Sequence, residues 1–135
     1  MKLITRDTDY ALRALIYIQG NKNNVTSVTE LVRELKIPKP FLRKLLQRLD
    51  KSDILRSHKG KGGGFTLVRQ ARRISLFDLI EIFQGSLRLN ECLFKKKPCP
   101  RVGTCGLNKA IGAIEKGVFS KLKSISVASL GRDSW

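Results

Sequence analysis

Apolar residues recur along this chain with two different periods. Ala11, Ala14, Leu15 and Ile18 follow the i, i+3, i+4, i+7 spacing of one buried helical face, which predicts a first helix over residues 8–19, ended by Gly20 and the polar run NKNN. Ser27 and Glu30 have capping-box spacing and open a second helix with the stripe Val28, Leu31, Val32 and Leu35. The segment KIP closes it, because Pro38 disfavours helix at the residue before it. Pro40 suits the first turn of a third helix, with Leu42, Leu45, Leu46 and Leu49 facing inward and Lys39, Arg43, Lys44, Gln47 and Lys51 opposite. Two short amphipathic helices across a tight turn, the second basic on its outer face, outline a helix-turn-helix.

The pattern then changes. Residues 54–57 and 65–68 are expected to be short strands, and the HKGKGGG between them makes a hairpin with a basic, glycine-rich tip. A hairpin directly after a recognition helix is a wing. Ser75, with Asp78 three residues on, opens a fourth helix whose stripe is Leu76, Leu79, Ile80 and Phe83 and whose stop is Gly85. A long helical pattern covers residues 107–125. There Leu107, Ile111, Ile114, Val118 and Ile125 advance in steps of four and three, interrupted by Lys121. That spacing suits a seam against another helix, most simply its own copy in a homodimer. The tail ASLGRDSW has no pattern and is expected to be disordered. The fold class is therefore mainly α: a winged helix-turn-helix DNA-binding domain over residues 1–86, a cysteine-bearing loop over 87–106, a long C-terminal dimerisation helix over 107–128 and a tail over 129–135.

Composition narrows the partner. A length of 135 residues fits one compact domain with an appended element. The net charge is +16, and a charge that large repels itself unless a polyanion cancels it. Nucleic acid leads, with an anionic membrane surface second. No run of apolar residues is long enough to span a bilayer, and the N-terminus has no secretory h-region, so the expected location is the cytoplasm. Between Lys36 and Arg73 stand twelve Lys and Arg against only Asp50 and Asp53, so the excess charge sits on the third helix and the wing. The expectation is double-stranded DNA, read in the major groove by Arg43, Lys44 and Gln47, with Lys39 and Pro40 at the head of the same helix. On the wing, His58, Lys59, Lys61 and Gly62 are the candidate contacts, to phosphates or into a minor groove. His58, the sole histidine, has no ligand-spaced neighbour and is assigned to DNA contact or structure rather than metal. No catalytic constellation occurs, and no enzymatic activity or small-molecule substrate is expected.

All three cysteines fall in ECLFKKKPCPRVGTCGL, at Cys92, Cys99 and Cys105. An odd number of clustered thiols argues against a disulfide framework in a reducing compartment. The spacing is not the paired C-x2-C of zinc ribbons, and three soft ligands suit zinc or an iron–sulfur cluster, with unligated thiols as the plain alternative. Lys95, Lys96 and Lys97 would favour the thiolate form.

The TDYALRAL near the start, KPFLRKLLQRL in the helix-turn-helix, the wing KGKGGGF, the SLFDLIE helix and the three spaced cysteines together resemble the IscR/NsrR/RirA type of bacterial winged-helix repressor, over residues 1 to about 128. The resemblance implies a homodimer crossed through the long C-terminal helix on a pseudo-palindromic operator. It also implies a 2Fe-2S or 4Fe-4S cluster on Cys92, Cys99 and Cys105, whose loss, nitrosylation or oxidation alters DNA affinity. The histidine of the IscR pattern is replaced here by Leu107, whereas Asp9 matches the partner-derived aspartate of the NsrR pattern; a plain helix-N-terminal acid is the other role open to Asp9. The RirA pattern uses three cysteines alone. The alternatives are a winged-helix regulator working through zinc or thiol oxidation, and a small basic iron–sulfur electron-transfer protein.

Overall fold

The computed structural model describes residues 2–21, 24–89 and 104–132. The helices are α1 (Arg6–Gly20), α2 (Val28–Leu35), α3 (Lys39–Lys51), α4 (Leu76–Gln84), α5 (Gly106–Ser124) and α6 (Val127–Arg132); the strands are β1 (Leu55–His58) and β2 (Gly64–Leu67). A short 3-10 turn, Ala71–Arg73, leads from the hairpin into α4. This is a winged helix-turn-helix followed by a long C-terminal helix.

The core assembles on the expected stripes. Ala11, Ala14, Leu15 and Ile18 of α1 meet Leu31 of α2 and Leu42, Leu45, Leu46 and Leu49 of α3, with Ile54, Leu55, Phe65, Ile74 and Leu79 filling in from the wing and α4. Fully burying an aliphatic side chain of this size contributes about 2 kcal/mol, so the four α3 leucines are the main determinant of how that helix is rolled. Ser27 caps α2 by accepting from the Glu30 amide at 3.1 Å. Glu30 does not complete a reciprocal box; its Oε1 accepts from the Tyr17 hydroxyl at 2.7 Å, tying α1 to α2. That bond, and the burial and negative charge beside it, raise the Tyr17 pKa above its ordinary value. The reciprocal capping box is made at α4, between Ser75 and Asp78.

The hairpin is antiparallel, pairing Leu55 with Leu67 through His58 with Gly64. Both strands sit one residue from the expected ranges, because Ile54 joins Val68 only through a single bond outside the ladder. The wing is anchored from a distance. Thr26, just before α2, exchanges both backbone bonds with Phe65, at 3.0 and 2.9 Å. Its side chain, fully buried, accepts from Asn21 Nδ2 at 3.0 Å.

Two expectations at the C-terminal end are corrected. Ile125 is not part of the long-helix seam; it is the C-cap of α5, and its carbonyl accepts from the Leu76 amide at 2.8 Å. The tail is not patternless over residues 127–132: it forms α6, which packs on α1 with Val127 in the core and Ala128 and Leu130 against it. The Val127 amide donates to Ile74 O at 2.9 Å, and Ser126 and Ser129 cap the short helix with each other. Six residues are too few to display a helical period, which is why the element is invisible locally. Residues 133–135 lie outside the described part.

Candidate nucleic-acid interface and cysteine site

The expected DNA contacts divide between one helix and one turn. Lys39 and Pro40 are the first two residues of α3; Arg43, Lys44 and Gln47 follow along its exposed side, opposite the four buried leucines. Their position is a consequence of the core stripe, since the same roll that buries Leu42 and Leu46 turns these residues to solvent. His58 ends β1, and Lys59, Lys61 and Gly62 form the exposed turn beyond it. His58 Nε2 lies 2.9 Å from Thr66 Oγ1 on the opposite strand, which supports a structural share in its role. α3 packs directly on β1, so the basic helix and the basic wing belong to one body.

Three further features were not evident from the sequence. A cleft of about 290 Å³ between the start of α1 and α3 is lined by Asp7, Pro40, Phe41, Lys44, Leu45 and Arg48. Phe41 is 45% exposed and meets Tyr10 edge-on at 6.4 Å between centroids. Arg48, although exposed like its neighbours, is directed onto α4. It donates to the Ile82 carbonyl and lies over the Phe83 ring, 5.1 Å from the centroid. Its only sequence signal was a place in the basic last turn of α3.

Replacing Arg43 with alanine is expected to weaken and broaden operator recognition by about 1–3 kcal/mol at one base position, read by competition with base-substituted duplexes. Unchanged affinity and preference would show that α3 does not read the groove.

Of the cysteines, Cys105 is described; Cys92 and Cys99 lie outside the described residues. Cys105 is the N-cap of α5, and its Sγ accepts from the Asn108 amide at 3.5 Å. Its Sγ therefore sits at the positive end of a 19-residue helix. Asp9 lies in the first turn of α1, where its Oδ2 accepts from Arg13 Nε at 3.0 Å. Among the described residues no group of three or more His, Cys, Asp or Glu side chains converges on a metal position. No described helix is long and apolar enough to cross a membrane.

A helix-turn-helix with a basic outer face, followed by a glycine-tipped wing bonded back to it, defines a winged-helix DNA-binding regulator. The family model of Rrf2, described as an iron-dependent transcriptional regulator, matches residues 4–133, and the chain belongs to that family. It is 31% identical over 128 residues to protein aau3 of Rhizobium meliloti, covering 94% of this chain and 83% of that protein. It is 26% identical to the HTH-type transcriptional repressor NsrR of Streptomyces coelicolor, over 94% of this chain and 86% of that one. Among solved structures it is similar to CymR, the global cysteine regulator of B. subtilis, with a TM-score of 0.77 at 20% identity over the whole of both chains.

Proposed function

We propose that this Rrf2-family transcriptional regulator is a cytoplasmic repressor that binds a pseudo-palindromic operator as a homodimer and senses iron–sulfur status, nitric oxide or redox state through a cluster on Cys92, Cys99 and Cys105. The observation that carries the reading is the placement of Cys105 at the head of α5. On that same helix Leu107 is 69% and Ile114 56% exposed, with Ile111 and Val118 partly covered. Large apolar side chains left in water along one helix favour burial against a second copy. A thiol that caps such a helix acts directly on the element that would set the distance between two DNA-reading heads.

A bound cluster would supply a centre whose integrity depends on oxidants, nitric oxide and iron supply. The chain's own part would be to hold it: Cys105 through its helix-capping Sγ, Cys92 and Cys99 from the sequence before it, and Asp9 from the partner's first helix as a fourth ligand. For Asp9 to serve, its ion pair with Arg13 has to open or be shared.

The test is anaerobic purification with a visible spectrum and counts of iron and acid-labile sulfide per chain. Broad visible absorption with matching iron and sulfide, lost on changing any one of the three cysteines to alanine while the dimer persists, is the expected result. A colourless, iron-free protein after anaerobic reconstitution would sink the cluster. It would leave the second reading, a regulator using thiol oxidation or zinc, which the likeness to the cysteine regulator CymR and the helix-capping position of Cys105 support. Membership of a regulator family removes support for electron transfer.

A further inference from the structure

α4 ends in a way that leaves its last carbonyls short of donors. The Gly85 amide still returns to Glu81 O at 3.2 Å, but beyond it the chain turns away, and α4 has no basic residue in its own last turn to answer the negative end of its dipole. The need is met from α3. Arg48 donates Nη2–H to Ile82 O and lays its guanidinium on the Phe83 ring, a placement that uses both the charge and the planarity of arginine. The same turn grips α1: Gln84 Oε1 accepts from the Thr5 amide at 3.0 Å and from Thr8 Oγ1 at 2.7 Å. On its far side, the Leu89 amide donates to Glu115 Oε2 of α5 at 3.1 Å. The first cysteine, Cys92, is three positions further along the sequence.

We propose that the last turn of α4 is a coupling joint between residues 85–89 and the DNA-reading helix. Arg48 is the positioning residue that registers α3 on this joint, and Glu115 is the side chain that holds its outer end. With Leu89 held by Glu115, the Ile82 carbonyl and Phe83 ring are presented to Arg48 and α3 is docked. When residues 85–89 shift, Arg48 loses its acceptor and α3 is released from α4. Coupling of this kind requires docked and released to be two discrete arrangements. The joint rests on the reading of α3 as the DNA-binding helix, and not on the identity of what the cysteines bind.

The experiment uses the full chain, metal-free and reduced, and the duplex that the wild type selects from a randomised pool. Arg48→Gln, Arg48→Lys and Glu115→Ala are each expected to weaken binding about fivefold, a typical coupling magnitude. The double variant Arg48→Gln/Glu115→Ala should be no weaker than the weaker single, and the slope of log K against log salt should not change. Glu115→Gln keeps the acceptor and is expected to restore wild-type binding. Hydrogen exchange adds a readout independent of DNA: amides over residues 45–52 should exchange faster in Glu115→Ala than in wild type or Glu115→Gln. The joint is overturned by multiplicative effects in the double variant, by wild-type binding in Arg48→Lys, or by unchanged exchange in Glu115→Ala. A slope flattened by about one in Arg48→Gln would overturn it too, making Arg48 a phosphate contact. Should the wild type select no duplex, the DNA reading of α3 fails, while the exchange measurement still decides the joint.

Discussion

Raising salt from about 50 mM to about 200 mM lowers the affinity of this chain for double-stranded DNA by roughly a thousandfold. The expectation comes from the exposed cations of α3 and the wing: Lys39, Arg43, Lys44, Lys51, Lys59 and Lys61 all stand in solvent. The proposed homodimer would present two such sets. If only half of those side chains neutralise phosphates, about six counterions are released on binding, and log K falls with log salt at a slope near −5. Fluorescence anisotropy on a labelled duplex across a salt series measures that slope directly. A slope near zero would mean that the +16 charge is answered by something other than DNA.

Replacing Gly64 with alanine detaches the wing. A Cβ built on Gly64 would stand 2.6 Å from the carbonyl carbon of Thr26, closer still to its oxygen, and 2.8 Å from Ser27 Cα. All of these are backbone atoms of the segment that starts α2, so no side chain can swing aside. The two Thr26–Phe65 backbone bonds open instead, with a loss of about 3 kcal/mol and a fall in melting temperature of about 10 °C. DNA affinity should drop about tenfold, the equivalent of 1.4 kcal/mol, because the wing no longer keeps its place beside the helix. The control is Gly62→Ala in the tip. A Cβ there meets nothing within 4 Å, and its φ of +77° costs only about 1 kcal/mol. Equal melting temperatures for the two variants would show that the Thr26 bridge does not hold the wing.

The elements legible in the sequence are those whose information is local. The α3 leucines lie on one face because their spacing leaves no other choice, and the exposed positions of Arg43, Lys44 and Gln47 follow from the same spacing. What escaped reading depends on residues far apart. Thr8 is fully buried although polar, because its hydroxyl donates to Gln84, 76 positions away. Glu30 has capping-box spacing yet is taken by Tyr17. Arg48 looks like one more cation of that helix, and only the packing of α4 on the same core shows that it is bonded to Ile82 O and lies over Phe83. In α5 the heptad-like spacing picked out Leu107 and Ile114, which the single chain leaves exposed. It missed Phe119, which packs on Phe77 at 5.2 Å, and the buried Leu122, because the inner face of that helix is thin. At the cysteine site only residue type and order were legible, and two of the three thiols lie outside the described residues.

The return of α6 to the core bears on when the protein becomes a protein. Ile74 and α1 are synthesised well before the side chain and backbone donor that complete them, which belong to Val127. A nascent chain emerging from the ribosome therefore carries a finished α3 long before it carries a closed core, and local contacts alone must shelter it until residues 127–132 have emerged. A fragment cut at residue 86 would inherit the same deficit permanently. The head and the C-terminal segment are written in succession, but the packing of the second completes the core of the first.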